Sequence, residues 1–274
     1  MQDAIFINPV GIVRSDYKNT KTLPLSGQHQ AQIEIFPQYA EALHRVEDNS
    51  HLWVLSWFHL APRHRLSNTL GKYNPTLPEY GVFGLRTPGR PNPIALSLVR
   101  LLSVKENILY VEGLDAVDQT HVIDIKPYKE SDTIFSPLTP FIYPLDKKHR
   151  VNKIFKQALA HHQEECLALR MAVRMAAMAQ EEFGHLNTPD LKVSVKGSAC
   201  LADSLQGITR ARLANPARFH FIASDTTSQS TWQKADRVLV IEAHGQVDLA
   251  SIMALPDKEI FLINRYQTQG RSTY

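Results

Sequence analysis

The first 130 residues alternate short apolar runs with polar, proline-bearing breaks, and most of the runs read as strands. AIFINPVGIV is an apolar run interrupted by Pro9 and Gly11. In QAQIEIF, Ile33 and Ile35, with Ala31 two residues earlier, share one face at a period of two. HLWVLSWFHL is nearly continuous apolar sequence, as expected of a strand buried on both faces. GVFGL, ILYVEGL and VIDIKPY add three more strands, the last two joined by DAVDQTH. PIALSLVRLLSVKEN is compatible with a strand or a short helix. YAEALHRVEDNS puts Ala40, Leu43 and Val46 on one side and predicts a short helix. Residues 61–80 form a polar loop long enough to be functional.

The pattern changes between residues 130 and 150. ESDTIFSPLTPFIYPLDKKHR carries three prolines and no helical period, and reads as an ordered connector. Residues 151–183 are rich in good helix formers and stop at Gly184. Their apolar stripe loses its period around His161–Cys166, which predicts two helices. SACLADSLQGI predicts another short helix, and ARFHFIAS, RVLVIEAHG and KEIFLINRY predict strands. The expected organisation is a mainly β domain over residues 1–145 and an α+β domain over residues 146–274, with no internal repeat.

Composition narrows the class without naming a function. The chain has 274 residues, 43% hydrophobic and 21% charged, as in ordinary globular proteins. No stretch is long and apolar enough to span a membrane, and the N-terminus lacks the pattern of a signal peptide. Two cysteines, Cys166 and Cys200, fit a reducing, cytoplasmic setting. A formal net charge of +3 permits an RNA partner without requiring one. Walker loops, GxGxxG, HExxH and CxxC are all missing from the sequence.

Candidate chemistry gathers in two places. In GVFGLRTPGRPNPIALSLVRLL, Pro88, Pro91 and Pro93 restrict the backbone around Arg86, Arg90 and Asn92. A stiff loop of that kind holds polar groups ready for a ligand, or is simply a rigid corner. In GLDAVDQTHVIDIKPY, Asp115 and Asp118 lie in the turn between two strands, and Asp124 follows on the second strand. Paired carboxylates in a turn accept hydrogen bonds from ligand amines or hydroxyls, from a guanidinium, or from backbone N–H groups. His59 ends an otherwise apolar strand. Arg63, His64, Arg65 and Lys72 precede the proline loop, Arg100 and Lys105 follow it, and Lys147, Lys148 and Arg150 form another basic cluster.

These residues carry a resemblance. GVFGLRTPGRPNPIALSLVRL is similar to the pattern GVFATRSPxRPNPIGLSxVxL, and GLDAVDQTHVIDIKPY to GLDLLDGTPVLDIKPY. NPVGIVRSDY, IEIFPQYAEAL and SHLWVLSWFH match three more blocks in the same order. Over residues 4–140 the chain resembles the TsaA/TrmO-like (YaeB-like) family of S-adenosylmethionine-binding proteins. The resemblance implies a compact β-barrel, commonly dimeric, and a methyltransferase acting on N6 of threonylcarbamoyladenosine beside the tRNA anticodon. It implies S-adenosyl-L-methionine as cofactor, tRNA as substrate and a homodimer. Carried over by position, the cofactor contacts are Pro24, His59, Leu60, Arg86, Leu96 and the turn Asp115, Ala116, Val117, Asp118. His59 is the candidate base, and Arg63, Arg65, Arg90 and Asn92 the candidate RNA contacts. Leu25 and Ser26 replace the family's Arg and Gln after Pro24, and Ala95, Gln119 and His121 replace Gly, Gly and Pro. Replacing Arg86 or Asp118 by alanine is expected to abolish cofactor binding with little loss of stability.

A second resemblance covers about residues 155–225. ECLALRMAVRMAAMAQEEFG and ACLADSLQGITRARLANPARFHF resemble segments of FmdE-like proteins, in which a motif histidine and cysteines suggest a metal site. Cys166 and Cys200 remain here, whereas Glu164 stands at the motif histidine position. Glu164 or His162 with the two cysteines would suit a soft divalent metal. The expectation is nevertheless a site without tightly held metal, its cysteines behaving as small hydrophobes.

Overall fold

The computed structural model describes residues 6–23, 29–71, 73–244 and 247–268. The chain divides into two compact units, residues 1–70 with 76–133 and residues 71–75 with 134–274.

The first unit is a closed antiparallel barrel. Its strands are β1 (Gly11–Arg14), β2 (Gln30–Ile35), β3 (His51–Trp57), β6 (Ile94–Lys105), β7 (Ile108–Glu112) and β8 (His121–Pro127), in the order β1-β2-β7-β6-β3-β8. Between β3 and β6 lies a two-residue ribbon, β4 (Ser67–Asn68) with β5 (Tyr80–Gly81). Alternation builds the core. Val13, Ile33, Leu52, Val54, Val99, Leu109, Val111 and Val122 face inward and are fully or almost fully buried. Closure leaves the barrel no free edge, which a small antiparallel sheet otherwise has to protect.

The structure resolves the ambiguous run after the proline loop. Residues 94–105 are one long strand, with Ala95, Ser97 and Val99 inward and Ile94, Leu96 and Leu98 outward. Two readings are corrected. GVFGL is not a strand: Val82–Gly84 is a short 3-10 turn. The carbonyls of Val82 and Leu85 accept hydrogen bonds from the Arg90 guanidinium instead of a neighbouring strand. The helix expected in YAEALHRVEDNS is two 3-10 segments, Pro37–Leu43 and Val46–Asp48, separated by Arg45 in the left-handed region.

The second unit is α+β. A five-stranded sheet has the order β10-β9-β11-β12-β13, with β9 (Leu191–Gly197), β10 (Phe219–Ala223), β11 (Gln229–Lys234), β12 (Arg237–Ala243) and β13 (Phe261–Gln267). Its buried face meets α1 (Lys147–His162), α2 (Leu167–Phe183) and α3 (Ala199–Thr209) in one apolar core that includes Met175, Leu205, Trp232 and Ile241. Two short helices, α4 (Leu249–Ala254) and α5 (Asp257–Ile260), precede the last strand. The two helices expected over 151–183 break where the stripe was lost. Gln163 ends α1 in the left-handed region, and Cys166 caps α2 by accepting the Leu169 N–H. Among the described residues no helix is long and apolar enough to cross a membrane.

Candidate functional site

Six antiparallel strands place six chain ends at each rim of the barrel. One rim collects the C-terminal ends of β1, β3 and β7 and the N-terminal ends of β2, β6 and β8. Trp57 pairs with both Ile94 and His121, Phe58 N–H donates to Pro93 O, and Gln119 N–H donates to Val13 O. His59 and Leu60 after β3, the proline loop before β6, and the turn Asp115–Asp118 before β8 therefore share this rim. The same rim receives the connection from β1 to β2, whose residue Pro24 lies outside the described residues.

Buried polar groups mark this end of the barrel. Ser56 Oγ, Thr87 Oγ1, Thr120 Oγ1 and both ring nitrogens of His29 are buried without a hydrogen-bond partner. All lie on rim segments, and they are the barrel's only such side-chain atoms among the described residues. Buried polar groups are normally paired, so their concentration at one rim points to a ligand or ordered solvent.

The individual side chains divide into braces and free groups. Arg90 is a brace: it donates to the carbonyls of Thr87, at 2.9 Å, of Val82, at 3.0 Å, and of Leu85. Together with the three prolines it fixes the loop from which Arg86 projects, exposed and without a carboxylate partner among the described residues. Arg63 stacks over the Trp57 ring at 4.9 Å. Pro62 and Arg65 lie against Gly89, where an added Cβ would come within 3.2 Å of both, so the 61–65 segment rests on the proline loop. Asn92, His59 and Leu60 are exposed. Leu96, 47% exposed, sits on the outer wall of the barrel and not in its interior.

The aspartates play different parts. Asp115 is exposed, while Ala116 and Val117 turn their side chains into the core. The Asp118 side chain is 9% exposed and accepts from Lys18 Nζ at 2.7 Å, Ser15 N–H at 3.0 Å and Gln119 Nε2 at 3.2 Å. Burial works against its charge, but those donors win and hold its carboxyl down at about 2. Asp118 therefore clamps the turn to the end of β1. The expectation of little loss of stability overlooks this clamp, because the partly buried bond to Ser15 would go with the side chain. Gln119 adopts φ 64°, the left-handed conformation that glycine takes at no steric cost. The family pattern's glycine at this position has a backbone reason. Asp124 pairs with Lys126 on β8, away from the rim.

The second unit holds a separate cluster. His162, Cys166 and Cys200 place one ligand atom each within 4.8 Å of one another. His162 Nε2 lies 3.5 Å from Cys166 Sγ, and its Nδ1 lies 2.7 Å from Asp203 Oδ2. Burial, and then Cys166, push the Cys200 thiol up. Glu164 is exposed and outside the cluster. His162 had a sequence signal, its position four residues before Cys166 at the point where the apolar stripe breaks. Asp203 had none.

Residues 12–133 match the family model described as the tRNA-methyltransferase O N-terminal domain. A probable S-adenosyl-L-methionine-binding protein of Archaeoglobus fulgidus is 33% identical over 219 residues, covering 76% of this chain, and the chain spans only 59% of that relative's length. Another protein of that description, from Methanothermobacter thermautotrophicus, is 47% identical over 130 residues, covering 46% of this chain and 91% of the relative. A tRNA (adenine(37)-N6)-methyltransferase of Escherichia coli is 35% identical over 137 residues, covering 43% of this chain and 55% of the relative. With five ordered sequence blocks laid on one barrel, and a relative matched over nearly its whole length, the chain belongs to the tRNA-methyltransferase O N-terminal domain family.

Proposed function

We propose that the chain is an S-adenosylmethionine-dependent methyltransferase acting on tRNA, with N6 of threonylcarbamoyladenosine beside the anticodon as the acceptor. The observation that carries this reading is the rim. The described sequence-assigned cofactor positions lie on its segments or, for Leu96, on the strand leaving it, among buried polar atoms that lack partners. The residues present fit the cofactor's chemistry. Arg86 suits its carboxylate or adenine edge, and Asp115 its ammonium or ribose diol. Ala116 and Val117 are left to contribute backbone groups, since their side chains are buried. Asp118 holds the turn in shape.

When bound, the cofactor supplies a methyl group activated by an adjacent sulfonium. The protein's task is then to align the acceptor nitrogen with that methyl, because in-line displacement depends on position. The nitrogen also loses a proton, and His59, exposed at the rim, is the group assigned to take it. Arg63 and Arg65 lie on the segment resting against the proline loop and are assigned to tRNA phosphates. Asn92 is an exposed neighbour in the same loop, while Arg90 serves the loop itself.

A homodimer in the cytoplasm is part of the proposal. Ile94, Leu96 and Leu98 form an exposed apolar row on the outer face of β6, bounded by Arg100, which a second barrel would cover. A second reading is an S-adenosylmethionine- or metal-binding module without tRNA activity, whose C-terminal half is FmdE-like. The cysteine–histidine cluster favours it. Nucleoside mass spectrometry of threonylcarbamoyladenosine-containing tRNA, incubated with the protein and cofactor, separates the two. The enzyme reading expects the modified adenosine to gain one methyl group. Binding of cofactor with no mass change would favour the module.

A further inference from the structure

We propose that the second unit binds one zinc-class divalent ion through His162 Nε2, Cys166 Sγ and Cys200 Sγ, with Asp203 orienting His162 and a fourth position left open. This is independent of the methyltransferase reading and reverses the sequence-based expectation of a site without tightly held metal. Both cysteines are those of the resembled motif, and the histidine ligand is this chain's own. Glu164, at the position of the motif histidine, is exposed and outside the cluster, and His162 at the end of α1 stands in its place.

Three features support the assignment. The first is spacing. A tetrahedral ion about 2.3 Å from sulfur and about 2.0–2.1 Å from nitrogen sets those two ligand atoms about 3.5 Å apart. His162 Nε2 and Cys166 Sγ are 3.5 Å apart. The second is the histidine's orientation. A carboxylate only accepts, so the 2.7 Å contact with Asp203 Oδ2 makes Nδ1 the donor. The lone pair is thereby left on Nε2, facing the sulfur, and a carboxylate behind a ligating histidine is the usual support of such a site. His161 shares the same aspartate through Oδ1 at 3.1 Å, tying the end of α1 to α3 from two residues.

The third is how the fold brings the ligands together. Cys166 caps α2, Cys200 lies in the first turn of α3, and His162 ends α1. α1 and α3 meet where Gly207 has no side chain: an added Cβ would lie 2.5 Å from His161 Cβ. That close approach seats His161 and His162 beside Asp203. The His162 side chain is 9% exposed, and both cysteines are partly exposed, so an ion has a way in. Two thiols and one imidazole select a soft or borderline ion over magnesium or calcium. Three protein ligands match the pattern of zinc sites that keep a place for water or substrate.

The test uses full-length, untagged protein purified under reducing conditions. Elemental analysis should find about one zinc per chain, in line with a three-ligand site. Zinc should be lost in His162→Ala and in Cys200→Ser, yet kept in Glu164→Gln. Asp203→Asn should keep the stoichiometry and weaken affinity by roughly 10- to 100-fold, as loss of a supporting carboxylate does. Cobalt added to the zinc-free protein should give thiolate-to-metal absorption and a tetrahedral visible spectrum. Unchanged circular dichroism in each variant separates loss of ligand from loss of fold. Should His162→Ala fail to fold, the cobalt spectrum of the wild type with and without Glu164→Gln still decides the ligand set. Wild type that holds no zinc and gives no thiolate–cobalt band would overturn the proposal. So would zinc that survives His162→Ala and disappears in Glu164→Gln.

Discussion

Asp118 and Asp115 look alike in the sequence, two aspartates three residues apart in one turn, yet their surroundings give them different duties. Asp115 is exposed, whereas Asp118 is buried against Ser15 and Lys18. Asp118→Ala should therefore cost stability as well as binding, by about 0.5–1.5 kcal/mol for the lost, partly buried hydrogen bond to Ser15. The exposed Lys18 partner adds little to that figure. The pH dependence has a definite sign. The folded carboxyl, held at about 2, lies below its unfolded value near 3.9, so its contribution is full above about pH 4 and lost as pH falls through about 2. Urea titrations at neutral pH and at about pH 2 should show the gap between wild type and Asp118→Ala narrowing in acid. An equal gap at both pH values would remove Asp118 from the role of clamp. Nothing in the spacing of GLDAVDQTH distinguishes the two residues, because the difference lies in Ser15 and Lys18, just after β1 and about a hundred residues away.

The elements legible in the sequence are those whose apolar period is strong. Gln30–Ile35, His51–Trp57, Ile108–Glu112 and His121–Pro127 are strands where alternation or an unbroken apolar run predicts them, although His51–Trp57 is buried on one face and not on both. The break between α1 and α2 falls where their apolar stripe fails. Two interior strands of the second sheet, β9 and β11, lie outside the strands that the apolar runs predict. In Gln229–Lys234 only Ser230 and Trp232 face the core, whereas Leu191–Gly197 alternates between the turn signals NTPD and GS and is readable as a strand. GVFGL misled in the opposite direction, since a long-range arginine and not local propensity takes its carbonyls. The outward row on β6 was visible only as ambiguity, and its exposure gives it meaning. Leu98→Glu should leave the barrel folded, because the residue faces out, and should shift a dimer toward monomer in sedimentation. A sedimentation profile identical to wild type would show that this face is not where two copies meet.

At the scale of the molecule, the rim was only partly readable from the sequence. Composition and periodicity supply strands and loops, but which loops share an end follows from closure of the barrel. The mildly basic balance, a net charge of +3, bears on the partner. Phosphate contacts release counterions, so tRNA affinity should fall steeply between low and physiological salt. Arg63→Ala with Arg65→Ala should flatten that salt dependence while leaving cofactor affinity unchanged. No tRNA binding by the wild type at low salt would remove the RNA partner and leave a cofactor-binding module.

The central claim is that this rim holds S-adenosylmethionine. Calorimetric titration of the cofactor into the wild type, Arg86→Ala and Asp115→Ala tests it most directly. Both side chains are exposed, and among the described residues no partner would be orphaned by their loss. The wild type should bind, and each variant should bind at least about 10-fold more weakly, the scale of one charge-assisted contact. Their unfolding temperatures should match the wild type. Wild-type affinity in both variants would mean that the cofactor does not bind at this rim.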